Sequence, residues 1–226
     1  MSLPASDKEA VLARIREALK VPAPHRPSAP APHAAEELRQ WLPAVGPSYD
    51  EMTAAFAAQA AGLKAEFHRF PDLAAAQVAF RVLAAKEGWD RIAAHDAPPV
   101  QALLRECEVP RFDVREGYDK AELEKCPVGV TGCDALVAQT GSVLVTSASA
   151  GGRALSILPP HHLVIASRGH LVSDLPAAFA RLAEAYGAKP PSLISFITGP
   201  SRTGDIERIL VLGAHGPKRL TIYLVD

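Results

Sequence analysis

The sequence predicts an α/β fold: a mostly parallel central sheet flanked by helices, preceded by an N-terminal helical arm. Three observations predict it. Strand-like and helix-like segments alternate from residue 65 onward, the pattern of parallel strands joined by helices. The 226 residues are 48% hydrophobic and 22% charged, which supplies enough apolar material for one sizeable core. A Pro-rich run, "VPAPHRPSAPAPH", separates the first helical segment from the rest and reads as a stiff extended linker. The division that follows is residues 1–34, helix and linker, and residues 35–226, one α/β domain.

Each element has a local reason. Ser6 and Glu9 have capping-box spacing before "AVLARIREAL", and Val11, Leu12, Ile15 and Leu19 share one face, so residues 7–20 are expected to be helical. This arm docks either on its own domain or on a neighbouring subunit of a homo-oligomer. Ser48 and Glu51 repeat the capping box before a second helix, "MTAAFAAQAAGL". "AEFHRF" alternates like a strand. "DLAAAQVAFRVLAAKEG" is a helix ending near Gly88, "RIAAHD" a short strand, "PVQALLREC" a helix and "RFDVRE" another strand.

From Val128 the texture changes. "VGVTGCDALVAQTGSVLVTS" reads as strand, turn and strand about residues 139–141, and "HHLVIAS" follows the break at Pro159-Pro160. "LVSDLPAAFARLAEAYG" is a helix with Asp174 as N-cap and Pro176 in its first turn. "SLISFIT" reads as a buried strand, "DIERILVLG" as a short helix stopped by Gly213, and "RLTIYLVD" as a closing strand.

Bulk properties exclude several classes. The net charge of −1 gives no electrostatic case for nucleic acid or anionic lipid. No apolar run reaches the length of a membrane span, and the first twenty residues lack a signal core, so a cytoplasmic protein is expected. Cys107, Cys126 and Cys133 form no C-x-x-C pair. They read as reduced thiols, too few and too scattered for an iron–sulfur centre in this chain. No zinc spacing of histidines is present, so no metal site is expected.

Two segments carry the candidate chemistry. In "FITGPSRTGDIERILVLGAHGP" a strand gives way to a loop of small and hydroxylated residues. Gly199, Ser201, Arg202 and Thr203 there suit a small-anion or phosphate cradle beyond a strand's carboxyl end; an ordinary capped helix start is the plain alternative. Asp205 and Glu207 complement the helix dipole or act in catalysis, and His215 is a third catalytic candidate or a turn residue. In "QTGSVLVTSASAGGRALSILPPHH", Thr140, Gly141 and Ser142 form a small hydroxyl-bearing turn. Arg153 follows a second small-residue loop, so two loops with one Arg each would make a clamp. Cys133 beside Gly132 reads as a buried thiol rather than a nucleophile.

Three stretches together resemble the lactate utilization protein C family, also called the LUD domain. They are "VGVTGCDALVAQTGSVLV", "GRALSILPPHHLVI" and "ITGPSRTGDIERILVLGAHGPKRLTIYLV". The resemblance implies a fold of the NagB/RpiA/CoA-transferase-like group. It implies a role in oxidising L-lactate to pyruvate alongside two iron–sulfur proteins, which hold the clusters, so this chain needs no cofactor of its own. Gly132, Thr140, Gly141 and Ser142 match the first motif, Arg153 and Ser156 the second, and Gly199, Ser201, Arg202, Asp205, Glu207 and His215 the third. Cys133 stands where the family usually has a small residue such as Ala.

Three functional readings follow: a cluster-free component of an iron–sulfur L-lactate-oxidising system, binding a small anion at strand-end loops; a stand-alone enzyme acting on a phosphorylated or nucleotide-bearing small molecule; and a non-catalytic interaction subunit.

Overall fold

Residues Ala5–Leu19 form helix α1. It begins earlier than Ser6, so that serine lies inside the helix and not at its N-cap. Val11, Leu12, Ile15 and Leu19 on its apolar face are exposed. The computed structural model describes residues 5–20, 42–114, 118–203, 211–212 and 216–226. Met1–Leu42 and Pro43–Asp226 are separate compact units; the Pro-rich run lies outside the described residues.

The second unit alternates as expected. Helix α2 (Tyr49–Gly62) starts in a full capping box, with the Ser48 side chain accepting from the Glu51 N–H and the Glu51 carboxylate accepting from the Ser48 N–H. Then come β1 (Glu66–Phe70), α3 (Leu73–Glu87), β2 (Ile92–Ala94), α4 (Pro98–Leu104) and β3 (Arg111–Asp113). Helix α3 is capped by Asp72 and ends at Gly88 in the left-handed conformation. A short α5 (Lys120–Glu124) precedes β4 (Val128–Thr131), β5 (Ala135–Val137), β6 (Ser142–Thr146) and β7 (His161–Ser167). After a 3-10 turn come β8 (Leu171–Val172) and α6 (Leu175–Tyr186), whose N-cap is Asp174 with Pro176 in the first turn. The chain closes with β9 (Ile194–Ile197), β10 (Arg202–Thr203), β11 (Val211–Leu212) and β12 (Arg219–Val225).

Six of these strands form one sheet, ordered β1-β12-β7-β4-β2-β3, with every pair parallel. One face packs on α3 and α4 through Phe80, Leu103, Val128, Val130, Leu163 and Ile165. The opposite face carries Val164, Ala166, Leu220, Ile222 and Leu224. They meet Phe56 and Ala60 of α2, and Leu136, Val143 and Val145 of a second sheet. That second sheet, ordered β8-β5-β6-β9, is mixed, and its outer side is covered by Ala178 and Leu182 of α6. The closing strand β12 therefore sits inside the main sheet, between β1 and β7.

Two expectations need correction. Strand β9 is not a core strand: it lies at an edge of the second sheet and Ile194 is exposed. The helix expected over "DIERILVLG" does not include its end, because Val211–Leu212 pair antiparallel with Arg202–Thr203 as a two-stranded ribbon. Apolar spacing there fits either structure over so few residues, and the ribbon satisfies main-chain groups that a helix start would have left open.

Candidate functional site

The three motifs meet, but at the opposite end of the main sheet from the one expected. Antiparallel pairing of β6 with β9 aligns Val143 with Ile197, which brings Ser142 beside Thr198. Thr140 Oγ1 donates to Ser142 Oγ at 2.8 Å, and Ser142 Oγ bonds Thr198 Oγ1 at 2.8 Å. Gly141 has φ +65, and a Cβ there would stand 2.7 Å from Gln59 Cβ. One at Gly199 would stand 2.9 Å from the Leu63 carbonyl oxygen. The Arg202 guanidinium donates to that same Leu63 carbonyl. Thr140–Ser142, Thr198–Gly199 and Arg202 thus gather at the C-terminal end of α2, just before β1 begins.

A cavity of about 200 Å³ lies beside this cluster. Ser156, Ser195, Thr198, Gly199 and Ser201 line it, with Gly216 and Pro217, and Ile157, Leu193 and Ile197 supply apolar wall. Ser201 N–H donates to the Pro217 carbonyl at 2.9 Å, and Lys218 N–H to the Pro160 carbonyl at 2.8 Å. These contacts put the cavity where β7 and β12 start, the amino end of the parallel strands. Of the sequence candidates, the structure brings Ser156, Gly199 and Ser201 to this wall, with Ser142 one hydrogen bond behind Thr198. Gly132, Thr140, Gly141, Arg153 and Arg202 do not line it. Arg153 donates to the Ser192 carbonyl at 2.8 Å, so both arginines of the expected clamp hold main-chain oxygens instead of facing each other across a ligand. Asp205, Glu207 and His215 lie outside the described residues, as does the side chain of Thr203. Wider grooves, about 580 Å³ along β1 and α3 and about 440 Å³ beside Trp89, contain none of the candidate site residues, although Arg219 and Tyr223 at the end of the third motif line the first.

The carboxyl end of the sheet holds polar residues that the sequence reading missed. Asp134, just past β4, accepts from Ser149 Oγ at 2.5 Å and from the Tyr186 hydroxyl at 2.6 Å. Tyr186 also bonds Thr146 Oγ1 at 3.0 Å, and burial together with Asp134 raises its phenol's pKa. His95, directly after β2, is 7% exposed. Burial lowers its pKa against the opposing pull of a hydrogen bond with the Ser149 backbone, which keeps the ring neutral near pH 7. His162, near the amino end of β7, reaches toward this end: its Nε2 bonds Thr131 Oγ1 at 2.8 Å, and burial with His161 nearby pushes its pKa down to about 3. The available signal for His95 was its place immediately after a short apolar strand.

The LUD domain family model matches residues 55–225. The chain belongs to the LUD domain family. Relatives include proteins named lactate utilization protein C from Halalkalibacterium halodurans, 34% identical over 128 residues, and from Bacillus subtilis, 36% identical over 118 residues. The first alignment covers 55% of this chain and 56% of the relative, the second 51% and 49%. The chain thus spans about half the length of the curated relatives it matches. A crystal structure of a DUF162 family protein from Deinococcus radiodurans shares the fold. Its TM-score is 0.61 at 19% identity, covering 80% of this chain and all of that one.

Within this LUD domain the thiols are free, and Cys126 and Cys133 are buried. Burial, reinforced by the neighbouring Asp134 charge, drives the Cys133 thiol pKa upward, which suits a packing role. Among the described residues no cluster of three or more His, Cys, Asp or Glu could hold a metal, and no helix is long and apolar enough to cross a membrane.

Proposed function

We propose that this LUD domain chain is a cluster-free component of a lactate-utilization system that oxidises L-lactate to pyruvate, with the iron–sulfur centres on two partner proteins. Its own contribution is to hold a small carboxylate in the cavity at the amino end of the parallel sheet. The observation that carries this reading is that four hydroxyl-bearing residues, Ser156, Ser195, Thr198 and Ser201, line one space of about 200 Å³ together with Ile157, Leu193 and Ile197. That volume is below the range of drug-sized sites and suits a ligand of a few heavy atoms. Hydroxyls can donate to a carboxylate and also accept from a substrate hydroxyl, a pairing that a 2-hydroxy acid needs. The names of the relatives support the pathway.

The test is lactate-dependent dye reduction by the source organism's iron–sulfur partners, with and without this chain. Reduction that falls to background without the chain, and that is weakened by Ser201→Ala through a raised KM, supports the reading. Equal reduction with and without the chain overturns it.

A further inference from the structure

The order of the main sheet locates a second place for a ligand. From β2 the chain crosses to β3 on one side; from β4 it crosses to β7 on the other. Strands β2 and β4 are neighbours, so the crossing direction reverses between them. Helix α4, which follows β2, packs on one face of the sheet, while segment 132–160, which follows β4, covers the other. Neighbouring strands whose connections leave to opposite sides open a crevice beyond their carboxyl ends, where open α/β sheets bind ligands.

The register shows which side chains stand there. Ala93, Gly129 and His162 are level across β2, β4 and β7, on one face. One step of two residues toward the carboxyl end brings His95 level with Thr131 on that face. Thr131 bonds His162 Nε2. Among the described residues, the buried side-chain polar atoms without a hydrogen-bond partner are His95 Nε2 and His162 Nδ1. His95 stands level with Thr131, and His162 lies one step nearer the amino ends on the same face. Leaving a buried polar atom unpaired is destabilising, so the unpaired His95 Nε2 points to a polar occupant.

The cover over the row is built of small residues. Ser149 Oγ ties it to Asp134. Gly151 has φ +64 and lies against the imidazole: a Cβ there would be 2.5 Å from His95 Cβ and 2.6 Å from its Cγ. A side chain at that position would displace the ring.

We propose that the crevice at the carboxyl ends of β2 and β4 binds a small hydroxyl-bearing molecule, with His95 Nε2 accepting its hydroxyl proton in a hydrogen bond and Ser147–Gly152 as the cover. The inference stands on the sheet order and on the unpaired His95 Nε2, and is independent of the cavity at the opposite end.

The experiment is nitrogen NMR of the full chain labelled in histidine, with the ring signals assigned through bonds in the wild-type protein so that no variant has to fold. L-lactate, glycolate and glycerol are titrated separately at millimolar concentration. A saturable movement of His95 Nε2 by at least one probe supports the site. If none of the three moves His95 Nε2, or any movement is linear without saturation, the crevice holds water only and the proposal falls. Because the readout is the His95 ring, just past the carboxyl end of β2, occupation of the amino-end cavity does not imitate it.

Discussion

Arg202 and Leu63 are 139 residues apart, and the guanidinium of one donates to the main-chain carbonyl of the other. Leu63 is the C-cap of α2, where unpaired carbonyls carry the negative end of the helix dipole. The contact places a cation there and fastens the β10–β11 ribbon to the helix.

Replacing Arg202 with Ala is therefore expected to act on stability before it acts on binding. The pair is exposed, so the loss should be about 0.5–1 kcal/mol, which lowers Tm by about 1–4 °C in a domain of this size. Thermal unfolding and a lactate titration on the same variant check this. Unaltered Tm with lost binding would instead make Arg202 a ligand contact.

Gly141 and Gly132 should respond very differently to alanine. Gly141 has φ +65, and its Cβ would meet Gln59 Cβ at 2.7 Å and the Ala60 main-chain nitrogen at 3.0 Å. Backbone strain and overpacking together predict a loss of about 2–4 kcal/mol. At Gly132 the only near atom is the Ser149 carbonyl oxygen at 3.4 Å, an ordinary contact, so a change within about 0.5 kcal/mol is expected. Urea midpoints at unchanged m value measure both. Equal losses would mean that the close approach to α2 does not set the requirement at Gly141.

The same contacts show why the fold was legible and the site less so. Ser48 with Glu51, Asp72, Gly88 and Asp174 are local signals, and each marks a helix end in the structure. The second sheet was not visible as a sheet. Every residue of β5 and β6 is buried, because one face meets the main sheet and the other meets α6, so no alternation betrays which strands pair. Small residues around Thr140 and Gly199 read as a ligand cradle, whereas part of their purpose is close contact with Gln59, Ala60 and Leu63. Those partners are far away in sequence. His95 carries no local pattern at all; only the order of strands makes its position meaningful.

Acid sensitivity should come from histidines before carboxylates. Burial, then the nearby Arg219 charge, pushes His161 down to about 4; burial, then His161, pushes His162 down to about 3. Burial also lowers His95 and His170. An unfolded histidine titrates near 6.5, so between that pH and the folded values the unfolded chain binds more protons. Stability contributed by neutral burial is then fully present above about pH 6.5 and is lost as pH falls, at up to about 1.4 kcal/mol per pH unit for each such group. By pH 4.5, His161 and His162 together should remove about 5 kcal/mol. Glu66 adds its loss later: burial opposes its ionisation, but Arg219 and Thr221 outweigh that and hold it below the usual carboxylate range. Urea unfolding at intervals from pH 7.5 to about 4.5 reads the slope. His162→Gln should flatten the profile above pH 4.5 even if it lowers stability at neutral pH. A profile flat down to the carboxylate range in the wild-type chain would mean that these rings are protonated in the folded protein, with their unpaired nitrogens solvated.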